Sequence, residues 1–256
     1  MSKGFKRVFA LILGIVLTFV QSCTSRTRDC EVDTLRSQLQ DWSALSHYRE
    51  ANAQLPPPAQ DEARVVFFGD SITASWNDPQ KAGGFFSGKS YVNRGISSQT
   101  TPQMLIRFQP DVIALKPQVV VILAGTNDIG GVTGPTSLRA IEDNLTSMAI
   151  LARAHAIRVV MSSVLPTHDN GLEDGKPIVH SKNRPPEQIR ALNEWMKALA
   201  ARQEYVYLDY YSSMVDDRGN LRQELSDDGI HPNRKGYAVM APLVEQAIAA
   251  AMKQQT

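Results

Sequence analysis

A serine, an aspartate and a histidine stand where they could together transfer an acyl group. Ser71 follows a short apolar run in the sequence Gly-Asp-Ser, and Asp228 precedes His231 by three residues. That spacing allows a turn in which the carboxylate reaches one ring nitrogen while the other nitrogen faces a nucleophile. We therefore expect Ser71 to attack a carbonyl, His231 to take its proton, and Asp228 to orient the histidine.

Simpler interpretations of the same residues stay open at this level. Gly-Asp-Ser after a strand can be a turn in which Asp70 or Ser71 caps the next helix, and Asp-x-x-His is often a surface turn. Asp227 is a neighbouring carboxylate, but it lies one residue further from His231. We interpret Asp70 as a turn or capping residue. Four other histidines compete for the role of base: His47, His155, His168 and His180.

Two further blocks accompany this trio along the chain. Gly95 lies in Asn-Arg-Gly-Ile-Ser, and Asn127 lies in Gly-Thr-Asn-Asp. With the Gly-Asp-Ser and Asp-Gly-Ile-His-Pro-Asn blocks they resemble the SGNH, or GDSL, hydrolases, a family named for a Ser, a Gly, an Asn and a His in four ordered blocks. The resemblance covers roughly residues 64 to 250.

This resemblance implies a metal-independent serine ester hydrolase that needs no cofactor and forms an acyl-enzyme intermediate. The matching oxyanion donors are the backbone amides of Ser71 and Gly95 and the side chain of Asn127. Ser98 stands where many members have another glycine. Asp128 is expected to hold its loop rather than to react.

Apolar runs alternate with helical patterns through the same region. Strands are predicted at 64–68, 90–93, 119–124, 158–162 and 206–209. Helices are predicted at 136–155, 185–203 and 233–252, with one or two short ones within 101–116. Such alternation implies right-handed crossovers and a parallel sheet covered on both faces. We expect a three-layer, doubly wound α/β domain with a mostly parallel five-stranded sheet, the flavodoxin-like class of the SGNH family.

The amino end differs in kind from the rest. Lys3, Lys6 and Arg7 precede an apolar run over 8–20 that ends at Ser22-Cys23, which resembles a bacterial lipobox. Residues 1–22 are predicted to be a lipoprotein-type signal peptide, with Cys23 lipidated. Cleavage without lipidation, or a retained anchor, are the alternatives.

This leader predicts an exported, membrane-anchored protein of the cell envelope, on the periplasmic or outer-membrane side. Lipidation of Cys23 would leave Cys30 without a partner, and the alternative is a disulfide between the two. Residues 23–63 are predicted to be a tether and a lead-in helix over 33–55, ended by Pro56-Pro57-Pro58. The hydrolase domain is predicted over 64–256.

Composition narrows the class of protein. The 256 residues are 43% hydrophobic, which suits a single domain with a sizeable core. The balance of 27 basic and 26 acidic residues predicts no nucleic-acid partner. A nucleotide-binding protein of the same fold is a rival, but neither phosphate-binding glycine motif is present. A non-catalytic glycan- or lipid-binding module is the other rival, and oligomeric state is not indicated.

The substrate is predicted to be a short-chain acyl ester, acetyl above all, of a small molecule, a glycan or a lipid. No long apolar insertion separates Ser71 from His231, and the insertion at 166–184 is polar. That insertion is either a solvated loop or a rim facing substrate, and its histidines and acids make a weak metal-site pattern. The alternative is a lysophospholipase or long-chain lipase. Some apolar side chains near the blocks could line an acyl pocket or simply be core: Trp76, Phe85, Phe86 and Ile129.

Overall fold

A computed structural model describes residues 39–173, 176–177 and 179–254. Contacts divide the chain into two compact units, Met1–Ala44 and Leu45–Thr256. The predicted signal peptide, Cys23 and Cys30 lie outside the described residues, and the domain described below is the second unit.

Five parallel strands form the central sheet, as predicted. They are β1 (Val65–Gly69), β2 (Tyr91–Gly95), β3 (Val119–Leu123), β4 (Arg158–Ser162) and β7 (Val206–Leu208). Their order across the sheet is β2-β1-β3-β4-β7, and every neighbouring pair is parallel. Because β1 has neighbours on both sides and the chain winds outward from it in both directions, the sheet is doubly wound.

Alternating side chains of the strands build two separate cores. Val66 and Phe68 of β1 enter one apolar cluster, whereas Val65 and Phe67 enter the other. All five residues of β1 are buried, so both faces of this strand are covered. The continuous apolar run therefore has the physical basis expected of a central parallel strand.

Helices cover both faces of the sheet. The longer ones are α4 (Thr101–Asp111), α6 (Leu138–Ala154), α8 (Pro186–Gln203) and α10 (Arg234–Lys253). The shorter ones are α1 (Arg49–Gln54), α2 (Ser71–Ala74), α3 (Pro79–Ala82), α5 (Thr126–Ile129), α7 (His180–Asn183) and α9 (Tyr211–Met214). The Asn233 side chain caps α10 by accepting from the amides of Lys235 and Gly236. The predicted long helices are confirmed, with ends shifted by one or two residues.

The predicted lead-in helix is interrupted in its described part. Residues 39–40 are helical, residues 41–48 are not, and α1 follows before the prolines; the backbone of Ala44 lies in the left-handed region at φ 55°. The apolar spacing that predicted a buried helix face does not mark one, since Leu45 is 39% exposed. Within the second unit, the Tyr48 hydroxyl just before α1 donates to the carbonyl of Gly95 at 2.6 Å.

The polar insertion has secondary structure of its own. A two-stranded antiparallel hairpin pairs β5 (Leu172–Glu173) with β6 (Lys176–Pro177), and α7 follows. Across the described residues, no helix combines the length and apolar character needed to cross a membrane.

Candidate active site

Three predicted residues meet at the carboxyl edge of the sheet. The Ser71 hydroxyl lies 2.8 Å from Nε2 of His231, and Nδ1 of His231 lies 2.6 Å from Oδ2 of Asp228. Ser71 and His231 are 160 residues apart in sequence. The fold thus produces one continuous chain of hydrogen bonds from hydroxyl to carboxylate.

The serine is positioned by the abrupt change from strand β1 to helix α2. Asp70 caps this helix, its Oδ1 accepting from the Ile72 amide at 2.9 Å. Gly69 is required before it, since a Cβ there would lie 2.6 Å from the carbonyl oxygen of Leu123. The Tyr237 hydroxyl donates to the Ile72 carbonyl at 2.6 Å and so ties α2 to α10. Ser71 is therefore the first residue of a short helix whose position is fixed by the packing of β1 on β3 and by a hydrogen bond from α10.

Asp70 fills the capping role predicted for it. Its side chain is fully buried, and burial raises its pKa to about 6, opposed mainly by the hydrogen bond from Ile72. The second carboxylate oxygen has no hydrogen-bond partner among the described residues. Desolvation thus favours the protonated form of Asp70 until the pH approaches neutrality.

A tight turn holds the aspartate and the histidine together. Oδ1 of Asp228 accepts from the amides of Ile230 and His231 at 2.9 and 2.8 Å, and from the Ser226 hydroxyl at 3.2 Å. Burial raises the pKa of Asp228, but the hydrogen bonds from His231 and Ile230 outweigh it and hold the pKa well below its usual range. Asp227 instead accepts from the Asn233 side chain at 3.0 Å. The structure therefore places Asp228, and not Asp227, against the histidine.

Asn127 lies on the same edge, in helix α5. Its Nδ2 donates to the carbonyl of Gln99 at 3.0 Å, which uses one of the two amide hydrogens. Among the described residues, the other amide hydrogen makes no hydrogen bond. Asp128 beside it accepts from the Thr101 amide and hydroxyl at 3.0 and 2.6 Å, so it holds its loop as expected.

The prediction that the Gly95 amide is an oxyanion donor is wrong. This amide donates to Oδ1 of Asn93 at 2.8 Å. Gly95 is instead a packing position, because a Cβ there would collide with the backbone of Ala74 and lie 2.7 Å from the carbonyl carbon of Thr73. The sequence block marks the place where the end of β2 packs directly against helix α2, which begins at Ser71.

Ser98, three residues after Gly95, is the second candidate for the predicted backbone amide donor. Its backbone lies in the left-handed region at φ 64°, and it is exposed. In the part of the chain that the structure describes, the Ser98 amide donates no hydrogen bond. The sequence signal was the frequent glycine at this position in the family, since glycine takes a positive φ without steric cost.

Sequence reasoning did not identify Arg107, which organises the edge from beneath. Its side chain is fully buried and donates to the carbonyls of Gly69 and Arg94 at 2.9 and 2.8 Å. It also pairs with Asp111 at 3.0 Å and with the side chain of Gln99. One guanidinium therefore joins the ends of β1 and β2 to the loop that contacts Asn127.

The polar insertion is neither a freely solvated loop nor simply a rim. His168 and His180 are both buried, 4% and 9% exposed. Nε2 of His180 lies 2.8 Å from the Asp228 carbonyl oxygen, and Nε2 of His168 lies 3.3 Å from that of Ser226. Both rings therefore pack against the turn that carries Asp228 and His231, and the histidine hydrogen-bonded to Ser71 is His231.

The aromatic side chains of this region belong to the core or pack against it: Trp76 is buried, and Phe85 and Phe86 are half-buried. Trp76, Phe85 and Phe86 pack around Phe67, with ring centroids 5.0 to 6.2 Å from its ring. Ile129 packs against the opposite core. These contacts support the core interpretation over an acyl pocket.

A groove lined by charged residues borders His231 and Asp228. Its walls come from α3, from the turn before α10 and from the start of α10. The side chains that line it beside His231 and Asp228 include Asp78, Lys81, Glu224, Asp227, Arg234 and Lys235. The groove next to His231 thus carries charges of both signs.

Comparison with known proteins agrees with this fold. The profile of the GDSL-like Lipase/Acylhydrolase family matches residues 67–239. A crystal structure of a GDSL-like lipase from Bacteroides thetaiotaomicron superposes with a TM-score of 0.74 and 37% identity, over 82% of this chain and 98% of that one.

Two curated relatives carry the names of acetyl ester hydrolases. Platelet-activating factor acetylhydrolase IB subunit alpha1 of Pongo abelii is 28% identical over 77% of this chain and 78% of its own length. An acetylxylan esterase of Xylanibacter ruminicola is 24% identical over 76% of this chain and 45% of its own length. The chain belongs to the GDSL-like lipase/acylhydrolase family. Within that family it is a carboxylic ester hydrolase.

Proposed function

We propose that the protein is a serine esterase that works through an acyl-enzyme intermediate. Ser71 is the nucleophile, His231 the general base and acid, and Asp228 the residue that orients it. The observation that carries this proposal is the unbroken chain of short hydrogen bonds from Ser71 through His231 to Asp228 at the edge of the sheet. A nucleophile, a base and an orienting group in hydrogen-bond contact form the arrangement that acyl transfer needs.

In the first half-reaction the Ser71 oxygen bonds to the ester carbonyl carbon while its proton moves to Nε2 of His231. The carbonyl oxygen becomes an oxyanion, which accepts hydrogen bonds from the Ser71 amide, the Ser98 amide and the free hydrogen of Asn127. Collapse breaks the bond to the leaving alcohol, which takes the proton from His231. The ionised Asp228 stabilises the imidazolium that exists between these proton transfers.

In the second half-reaction a water molecule attacks the acyl-enzyme and gives a proton to His231. The bond to Ser71 breaks, its oxygen recovers that proton, and the carboxylic acid leaves. The oxyanion donors act again on the second tetrahedral intermediate. Preorganised donors of this kind contribute about 3 to 4 kcal/mol each to lowering the barrier.

The proposed substrate is a short acyl ester, acetyl above all, of a polar alcohol such as a glycan. Trp76 is buried in the core, and the half-buried Phe85 and Phe86 pack against that core, so we expect no tunnel for a long chain among these side chains. The groove beside His231, where the leaving alcohol is protonated, is lined by charged side chains. Each methylene left in water forgoes about 0.8 kcal/mol of burial, so longer acyl chains gain little. The names of the two acetyl ester hydrolases support the same choice.

A fluorophosphonate label and a panel of nitrophenyl esters from acetate to palmitate test this function. Wild-type protein should be labelled at Ser71 and show its highest kcat/KM at acetate. Ser71→Ala should lose both label and turnover, and exposed Ser87→Ala should keep both. Labelling of another serine would contradict the assignment, absence of label and turnover would favour a binding module, and a maximum at about eight carbons or beyond would favour a lipase.

We also propose that a lipid on Cys23 anchors the enzyme in the cell envelope. The support is the basic leader, its apolar run and the Ser22-Cys23 junction. An esterase anchored in this way would meet acetylated glycans at the cell surface.

A further inference from the structure

We propose that residues 180–184 form a brace that holds two catalytic turns in register. These residues are helix α7 and Arg184 after it. One turn carries Asp228 and His231, and the other carries Asn127. His180 and Arg184 are then positioning residues of the esterase, an inference that rests on the proposed function.

The first end of the brace, His180, contacts the turn that carries Asp228 and His231. His180 is 9% exposed, and its Nε2 donates to the carbonyl of Asp228 at 2.8 Å. Gly229 follows with φ 89°, and a Cβ there would lie 2.9 Å from Cδ2 of His180. The His168 amide donates to the Gly229 carbonyl at 3.0 Å. The main chain of the catalytic aspartate is thus fixed by a side chain and by a backbone, both from the polar insertion.

The second end of the brace grips the turn of the oxyanion donor. Nε of Arg184 donates to the carbonyl of Thr126 at 3.1 Å. The guanidinium lies against Gly130, where a Cβ would stand 2.7 Å from Cζ of Arg184. Thr126 is the first residue of α5, the short helix that carries Asn127, and Gly130 follows its last residue. Arg184 therefore contacts this helix at both of its ends.

The brace between these two grips is short and internally bonded. The Arg184 amide donates to the His180 carbonyl at 2.8 Å, which closes one helical turn. Ser181 donates from its amide and its hydroxyl to the carboxylate of Asp169, at 2.8 and 2.5 Å. A single hydrogen-bonded turn of chain thus spans from the base to the oxyanion donor, independently of the sheet that supports both.

Such a connection matters because base and oxyanion donor must act on the same carbonyl. A misplacement of about 1 Å can cost on the order of 100-fold in rate. We expect His180→Leu and Arg184→Met each to lower kcat by about 10- to 100-fold with little change in KM. The groove beside His231 contains neither residue, so substrate binding should persist.

Conservative variants separate positioning from mere folding. His180→Gln keeps an N–H donor at a similar reach, and it should recover most of the kcat lost in His180→Leu. Arg184→Lys keeps the charge but not the planar donor packed on Gly130, so it should behave like Arg184→Met. Exposed residues on the far flank supply matched controls, His155→Leu and Arg202→Met, which should act like wild type.

The experiment measures kcat and KM on nitrophenyl acetate, the rate of fluorophosphonate labelling, and the unfolding temperature of each full-length variant. It adds the low-field proton resonance of the short Asp228–His231 hydrogen bond. This resonance should broaden or shift in His180→Leu and return in His180→Gln. The double variant should lose less than the product of the two single losses, because each single change already releases the brace.

Several results would overturn the brace. One is a folded His180→Leu with wild-type kcat and a wild-type resonance, and another is an equal loss of kcat in His180→Leu and His180→Gln. The others are full activity in Arg184→Lys, and a loss of kcat in the double variant equal to the product of the two single losses. If His180→Leu does not fold, the Arg184 pair decides alone. A wild-type protein without esterase activity or label would instead refute the proposed function, so the two failures are distinguishable.

Discussion

Replacing Asp228 by asparagine tests the orienting role without removing the side chain. Oδ1 of Asp228 accepts from the amides of Ile230 and His231 and from the Ser226 hydroxyl. An asparagine oxygen can keep all three hydrogen bonds. Only Oδ2, which faces Nδ1 of His231 at 2.6 Å, becomes an N–H donor. The turn should therefore survive while its one contact with the imidazole ring is inverted.

The size of the effect follows from that inversion. A donor opposite Nδ1 forces the hydrogen of the neutral ring onto Nε2, the nitrogen 2.8 Å from the Ser71 oxygen. This tautomer cannot accept the serine proton, and the imidazolium loses its ionised partner. We expect kcat to fall by up to about 10⁴-fold, or about 5 kcal/mol of transition-state stabilisation.

The assay compares kcat, KM and the labelling rate for Asp228→Asn and Asp227→Asn. Asp227 is the matched control, because it is adjacent and its carboxylate accepts from the half-buried Asn233 side chain instead of from His231. Asp227 lines the groove but does not hydrogen-bond to the imidazole ring, so Asp227→Asn should keep a near-wild-type kcat. Full activity in Asp228→Asn together with loss in Asp227→Asn would refute the reasoning, and so would equal losses in both.

Three further predictions concern other positions. Gly95→Ala should lower the unfolding temperature and the labelling rate, because its Cβ would displace helix α2 at Ala74, whereas exposed Ser97→Ala should change neither. The native pKa of Asp70, about 6, lies above its unfolded pKa of 3.8, so the free energy of unfolding of the wild type falls as the pH rises from 4 to 7. Asp70→Asn does not titrate, so its stability relative to wild type should rise by about 3 kcal/mol across that range. Parallel curves of stability against pH for the two proteins would contradict this prediction. Cys23→Ser should abolish uptake of a fatty-acid probe in cells, and a wild-type protein that takes up none would refute the proposed anchor.

The sheet could be predicted well because its signals are local. Apolar runs such as Val119–Leu123 are buried on both faces, and a run of that kind has few alternatives to a central parallel strand. The carboxyl-edge rule then placed Ser71 and Asn127 on one side of the domain. Asp228 could be separated from Asp227 by its three-residue spacing from His231 and by its match to the family pattern, since a short turn is a local structure.

The unpredicted features depend on contacts between distant parts of the chain. The Gly95 amide was assigned from its block, but its direction is set by the side chain of Asn93. His180 contacts the backbone of Asp228, 48 residues away, and no periodicity in the sequence encodes that hydrogen bond. The lead-in helix differs for another reason: the spacing of its apolar residues suggested one continuous buried face, whereas residues 41–48 interrupt the helix and Leu45 is 39% exposed.

The buried Arg107 supports the backbone around Ser71 and not the side chains of the groove beside His231. It joins Gly69, Arg94 and Gln99 from beneath, and it touches none of the side chains that line the groove beside His231. A designer could therefore exchange α3 or the turn before α10 to recognise a different alcohol while the nucleophile and the oxyanion loop keep their foundation. Replacing Arg107 itself would remove the ion-pair partner of buried Asp111 and leave that carboxylate with the hydrogen bond from the Asn52 side chain, a change that typically costs about 3 to 5 kcal/mol. Arg107 is thus the position to leave untouched in any library built on this scaffold.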